Sequence, residues 1–112
     1  MQKLFELFDE IGLPYHRQGS LANQEYPPDF FTFWNIDTEN DSFYDNKEHR
    51  YIEYVQIGFY TNNAEKIYSV MEDFIKRAEA KGFVVDGRAK DADADEDNYF
   101  GRVCYLRIIN NI

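Results

Sequence analysis

The chain has 112 residues, 44% of them hydrophobic and 18% aromatic, and carries 21 acidic against 12 basic residues for a net charge of -9. A length in this range is that of one domain with a real but small core, so ten Phe and nine Tyr leave rings to spare for an interface. The acidic balance repels phosphate backbones and anionic lipid, no apolar run approaches the ~20 residues that cross a bilayer, and a single cysteine excludes an internal disulfide.

The first element is a helix over residues 2 to 11, where Leu4, Leu7, Phe8 and Ile11 recur at helical spacing before the stop signal of Gly12 and Pro14. The acids among the apolar residues of MQKLFELFDE argue against a signal peptide, and with the lone cysteine they point to folding in the cytosol. Residues 15 to 28 read as irregular. Phe30 to Ile36 reads as a strand, with Phe31, Phe33 and Asn35 on one face and Phe30, Thr32, Trp34 and Ile36 on the other. Rings on both faces imply cover on both sides. Residues 37 to 49 form a long polar loop, a candidate arm toward a partner. Tyr51 to Tyr60 is the second strand, and Gly58 inside it marks a bulge or a close approach.

The strongest periodic signal is a helix from about Asn63 to Lys81. Ile67, Val70, Met71, Phe74, Ile75 and Ala78 form its buried face, Asn62 with Glu65 resembles a capping box, and Gly82 follows the last turn. A third strand starts at Phe83 to Asp86, residues 89 to 98 form a second acidic loop, and Tyr99 to Ile109 is the last strand. The expected fold is therefore α+β: a four-stranded, mainly antiparallel sheet with two helices packed on one face, in the order α-β-β-α-β-β, as one domain over residues 1 to 112.

A search for chemistry returns little. The run Asp91, Asp93, Asp95, Glu96, Asp97 lacks the glycine and the closing glutamate of a calcium loop and reads as a solvated hairpin. His16 and His49 have no metal-ligand spacing and read as surface residues. Cys104 lies in an apolar strand and reads as a buried, inert thiol. Arg102 and Arg107 fall on opposite faces of that strand and are expected to pair with carboxylates within the chain. With no phosphate loop, nucleophile elbow or carboxylate pair, the reading is a protein that is not an enzyme and uses no metal or cofactor. The candidate interface residues are Trp34, Phe43, Tyr44, Asp45, Arg50, Asp91, Asp93 and Asp95.

Three segments carry a likeness. EYPPDFFTFWN (Glu25 to Asn35), FYDN (Phe43 to Asn46) and KGFVVDG (Lys81 to Gly87) resemble small tail-completion proteins of long-tailed bacteriophages and prophages, whose element order is similar to that of tail terminators. The resemblance implies a virion structural protein of the tail or neck region, assembled in the bacterial host cytoplasm. It implies a ring, hexameric on the tail tube, that contacts the major tail tube protein and the head-tail connector proteins, with no catalysis, no sequence-specific nucleic-acid binding and no membrane. An acidic body suits a channel through which DNA passes without adhering. The alternative is an acidic DNA mimic that inhibits a DNA-binding host enzyme, supported by the net charge of -9.

Overall fold

In a computed structural model of the chain, residues 1–20, 25–40, 50–94 and 98–111 are described. The elements in order are α1 (Gln2–Ile11), β1 (Tyr15–Arg17), β2 (Asp29–Asn40), β3 (Arg50–Thr61), α2 (Lys66–Ala80), β4 (Val84–Ala92) and β5 (Phe100–Asn111). The strands form one sheet in the order β1-β2-β3-β5-β4. β1 runs parallel to β2, and the other three pairings are antiparallel.

The expectation of a four-stranded sheet is therefore corrected: the sheet has five strands and is mixed. The extra strand comes from residues read as irregular. Pro14 cannot continue α1, so the chain leaves the helix extended and falls beside β2. The Phe31 N–H donates to the Pro14 carbonyl at 2.8 Å, and the Gln18 N–H donates to the Phe33 carbonyl at 2.9 Å. Tyr15 fixes the placement, with its ring 4.9 Å from Phe8 and 5.6 Å from Phe5. Three residues are too few to show a two-residue alternation, so this strand leaves no periodic trace in the sequence.

α1 forms where expected. Leu4, Leu7 and Phe8 are buried, and Gly12 ends the helix at φ 83°, a left-handed conformation that costs glycine nothing. α2 starts at Lys66 rather than Asn63, and the capping box is not made. Instead the Thr61 hydroxyl accepts from the Asn63 N–H at 3.0 Å, and the Asn63 side-chain oxygen accepts from the Glu65 N–H at 3.0 Å, a turn that delivers the chain to the helix one step later. β2 continues through Asp37 to Asn40, so the polar loop starts later than expected. A bulge at Ile36, between the pairs Asn35↔Val55 and Asp37↔Tyr54, lets the charged half of β2 extend the sheet. β4 likewise runs to Ala92, well into the stretch read as an acidic loop.

Both helices lie on one face of the sheet. Phe31 stands between them, 5.1 Å from Phe8 of α1 and 5.3 Å from Phe74 of α2, and those two rings are 5.7 Å apart. Val55, Ile57 and Phe59 of β3 and Cys104, Leu106 and Ile108 of β5 complete a core of buried side chains at every second position. Glu53 lies on the same face and is only 7% exposed. Its carboxylate accepts from Asn35 Nδ2 at 3.1 Å and Asn110 Nδ2 at 3.0 Å and meets the Met1 ammonium at 3.3 Å, which meets the demand of a buried charge.

Candidate interaction face

The face of the sheet away from the helices is built by the alternate positions of the same strands. The pairings Phe30↔Tyr60↔Gly101, Thr32↔Gly58↔Val103 and Trp34↔Gln56↔Tyr105 set its rows, and beyond the bulge come Asp37↔Tyr54↔Arg107 and Glu39↔Ile52↔Ile109. No described helix crosses it. It divides into two regions.

The first is a strip of exposed apolar groups. Trp34, Ile36 and Ile109 are 45%, 51% and 39% exposed, with Tyr54 and Tyr105 half-buried between them. Acids rim the strip. Glu39 accepts from the Tyr54 hydroxyl at 3.2 Å, and Asp86 accepts from Arg107 Nε at 2.9 Å. Burial, and then the Glu39 carboxylate, push the Tyr54 phenol above its usual pKa. Lys90 Nζ sits 5.4 Å from the centre of the Tyr105 ring. Ile36, Asp37, Glu39, Tyr54, Asp86 and Tyr105 line a shallow groove along the strip.

The second region is a small ring-built cluster at the other end. Phe30 is its centre, buried to 3% exposure and packed by Tyr60 at 5.5 Å, Tyr26 at 5.5 Å and Tyr99 at 6.2 Å. Tyr99 is anchored by its hydroxyl, which donates to the Pro27 carbonyl at 2.8 Å. Two glycines make the room. A Cβ on Gly101 would lie 2.6 Å from the Tyr60 ring and 2.9 Å from the Ala92 carbonyl oxygen; one on Gly58 would lie 2.7 Å from the Thr32 hydroxyl and 2.8 Å from the Tyr60 ring. Tyr60 thus lies flat across β3 and β5. Gly58 marks a close approach and not a bulge, since the β3–β5 register runs unbroken through it. A cleft of about 160 Å³ remains beside the cluster, lined by His16, Arg17, Tyr26, Phe30, Thr32, Tyr60, Asp93 and Tyr99 among others.

The residues singled out from sequence do not converge on one site. Trp34 stands on the apolar strip. Arg50 opens β3 at the end of the sheet where it pairs with Asn111, while Asp91 lies beside Arg102, across from Phe59. Nine strand residues separate these two ends, roughly 30 Å. Asp91 is engaged within the chain: its carboxylate accepts from Arg102 Nη1 at 2.7 Å, while Arg102 Nη2 donates to the Ala89 carbonyl at 2.9 Å and the guanidinium covers the Tyr68 ring at 4.8 Å. Arg107 is paired with Asp86, so both strand arginines have carboxylate partners inside the chain. Asp93 lines the ring-built cleft. Phe43, Tyr44, Asp45 and Asp95 lie outside the described residues, as do His49 and most of the loop proposed as an arm.

The sequence reading missed Ile36, Tyr54, Tyr105 and Ile109 as one surface. The signal was present in β5, where Val103, Tyr105, Arg107 and Ile109 alternate with Cys104, Leu106 and Ile108, but which set meets the helices is decided only by register. His16 was read as a surface residue; it is half-buried, and its Nε2 is enclosed with no hydrogen-bond partner among the described residues. Cys104 is buried, and burial pushes its thiol up to about 12. Among the described residues, no group of three or more His, Cys, Asp or Glu side chains is placed to hold a metal ion. No described helix is long and apolar enough to cross a membrane. No protein-family model matches the chain, and a search of curated proteins finds no match.

Proposed function

We propose that the chain is a non-catalytic assembly subunit of the kind its sequence resembles, a tail-completion or terminator protein at the head-tail junction of a long-tailed phage or prophage. Its partners on this reading are further copies of itself in a ring, the major tail tube protein and the head-tail connector proteins. The observation that supports assembly is the exposed strip of Trp34, Ile36 and Ile109, with Tyr54 and Tyr105 half-buried between them, on the face of the sheet opposite the described helices. Exposed aromatic and aliphatic groups gathered on one face and rimmed by charge are the composition of an interface core.

Sedimentation of the chain alone and with tail tube subunits tests this reading. Rings, or co-sedimentation with the tube protein, are expected; a monomer in both conditions would count decisively against it. Displacement of DNA from a nuclease or polymerase by the chain would favour the DNA-mimic alternative instead. Among the described residues, the carboxylates of Glu10, Asp29, Glu53, Asp73, Asp86 and Asp91 are engaged with cations inside the chain, which speaks against such mimicry.

A further inference from the structure

We infer that the end of the molecule built from Tyr68, Phe100 and Arg102 is the surface on which a second copy of this chain seats its Trp34 strip. The inference rests on the assembly reading: a ring closes through head-to-tail contacts, and each such contact joins two unlike surfaces of the same subunit. The strip supplies one of them, and the other lies elsewhere on the fold.

Exposed apolar groups point to its place. The described residues include five large hydrophobic side chains that stand exposed, and they fall into two groups. Trp34, Ile36 and Ile109 belong to the strip. Tyr68, 55% exposed, and Phe100, 45% exposed, are the other two, and they line one groove with Ile67. The groups lie at opposite ends of the sheet and on opposite faces. Phe100 and Ile109 are nine residues apart on β5, about 30 Å of strand. An odd separation along an unbroken register puts Ile109 on the open face and Phe100 on the face that carries the helices. Two surfaces so placed cannot meet within one chain. A two-fold pairing of strips would leave Tyr68 and Phe100 bare, whereas a head-to-tail contact covers both groups with one kind of interface.

The Tyr68 end is also pre-ordered for contact. The Arg102 guanidinium lies over the Tyr68 ring at 4.8 Å and is itself fixed by Asp91 at 2.7 Å and by the Ala89 carbonyl at 2.9 Å. The ring is held from one side while more than half of the residue faces outward, so little freedom is lost on binding. Trp, Tyr and Arg are the residue types that dominate interface energies, and this contact brings Trp34 of one copy to Tyr68 and Arg102 of the next. Lys66, 2.9 Å from Asp29 and half-exposed, stands in the same turn of α2 as a cation for Asp37 and Glu39 of the arriving strip.

The test is complementation between variants of the full chain, read by sedimentation equilibrium with and without tail tube subunits. Trp34→Ala removes the anchor of the strip, and Tyr68→Ala with Phe100→Ser removes the second surface. Each should weaken assembly by about thirtyfold, with far-ultraviolet circular dichroism as the check on folding. Ile36→Lys, at an exposed bulge, replaces Trp34→Ala if that variant does not fold. Mixed in equal amounts, the two variants keep one intact contact between them, the strip of one and the Tyr68 end of the other. Under the condition in which the unaltered chain assembles, the mixture should therefore pair two chains of 13.4 kDa each and add no third. The inference is overturned if the Tyr68 and Phe100 variant assembles as the unaltered chain does, or if the mixture forms no pair. An unaltered chain that stays monomeric in both conditions overturns the assembly reading as well, so the two failures are distinguishable.

Discussion

Trp34→Ala separates the two roles an aromatic residue can have in this sheet. Trp34 is 45% exposed, so the chain itself covers a little more than half of it. A Trp side chain presents about 200 Å², so ~110 Å² is buried on folding and ~90 Å² is left to a partner. At ~25 cal/mol per Å², and after reduction for a compact unfolded state, truncation should cost ~1.5–2 kcal/mol of folding stability. Phe74 is fully buried against Phe8 and Phe31, and Phe74→Ala should cost ~3–5 kcal/mol. The area left for a partner is worth up to ~2 kcal/mol, about thirtyfold in the affinity of one contact. Urea denaturation followed by far-ultraviolet circular dichroism gives the first quantity, and sedimentation equilibrium of the assembly gives the second. Trp34 is the only tryptophan in the chain, so its emission reports its surroundings without interference. The maximum should shift to the blue when tube protein is added. A stability loss equal to that of Phe74→Ala, or an emission maximum unmoved in the assembled state, would refute the assignment of Trp34 to an interface.

Three other outcomes follow from the geometry. Alanine in place of a strand glycine ordinarily stabilises, but Gly101→Ala should destabilise by ~1–3 kcal/mol because the new methyl meets the Tyr60 ring and a backbone carbonyl; Gly58→Ala should cost less, since Thr32 and Tyr60 are side chains that can move, and equilibrium unfolding of both variants checks the order. Burial raises the pKa of Asp29, but the Thr61 hydroxyl at 2.6 Å and the Lys66 ammonium at 2.9 Å outweigh it, so the folded value lies below the ordinary 3.8. A depressed carboxylate contributes stability that is present above its unfolded pKa and is lost as pH falls through the lower folded value; unfolding measured from pH 5 downward should therefore show a decline below about pH 4 that is shallower in Asp29→Asn. Cys104, buried with its thiol pushed up to about 12, should ignore a thiol-specific reagent in the native protein at neutral pH and react on unfolding; a fast native reaction would place it at the surface.

The elements with internal repetition were legible in the sequence. α1 and the body of α2 announce themselves through residues such as Leu4, Phe8, Met71 and Phe74, whose spacing is a local property. β1 was not legible, because its three residues are held by backbone hydrogen bonds to a strand sixteen residues on and by the contact of Tyr15 with α1. The charged half of β2 reads as loop because Asp37, Glu39 and Asn40 have poor strand propensity; cross-strand pairing with Tyr54, Ile52 and Tyr51 overrides it. For the interaction face, strand alternation puts Ile36 on the face of Trp34, while Tyr54, Tyr105 and Ile109 are not joined to it by any local pattern. Composition marks a conspicuous ring, whereas a surface exists only once the register has set Tyr105 beside Gln56 and Gln56 beside Trp34.

The expectation that rings on both faces of β2 need cover on both sides divides along the strand. Phe31 and Phe33 turn to α1 and α2, and Phe30 on the opposite face is covered by Tyr26, Tyr60 and Tyr99 from the chain's own loops and strands. Cover ends between Thr32, 8% exposed, and Trp34, 45% exposed, two residues further along the same face. The break has a structural cause. The glycines that admit Tyr60, Gly58 and Gly101, lie at the Phe30 end, and the next row holds Gln56 and Tyr105, whose side chains fill the space that glycine leaves open. From that row onward Trp34, Ile36 and Ile109 stand exposed among polar neighbours, with the Lys90 ammonium over Tyr105 and the acids Asp37 and Glu39 beside them. A partner surface that covers this face must therefore bring apolar contact to Trp34 and Ile36 and positive charge to Asp37 and Glu39. Replacing Asp37 and Glu39 by Asn and Gln should slow association and flatten its dependence on salt while leaving folding stability within about 0.5 kcal/mol; association rates that do not change would mean that the partner approaches from another side.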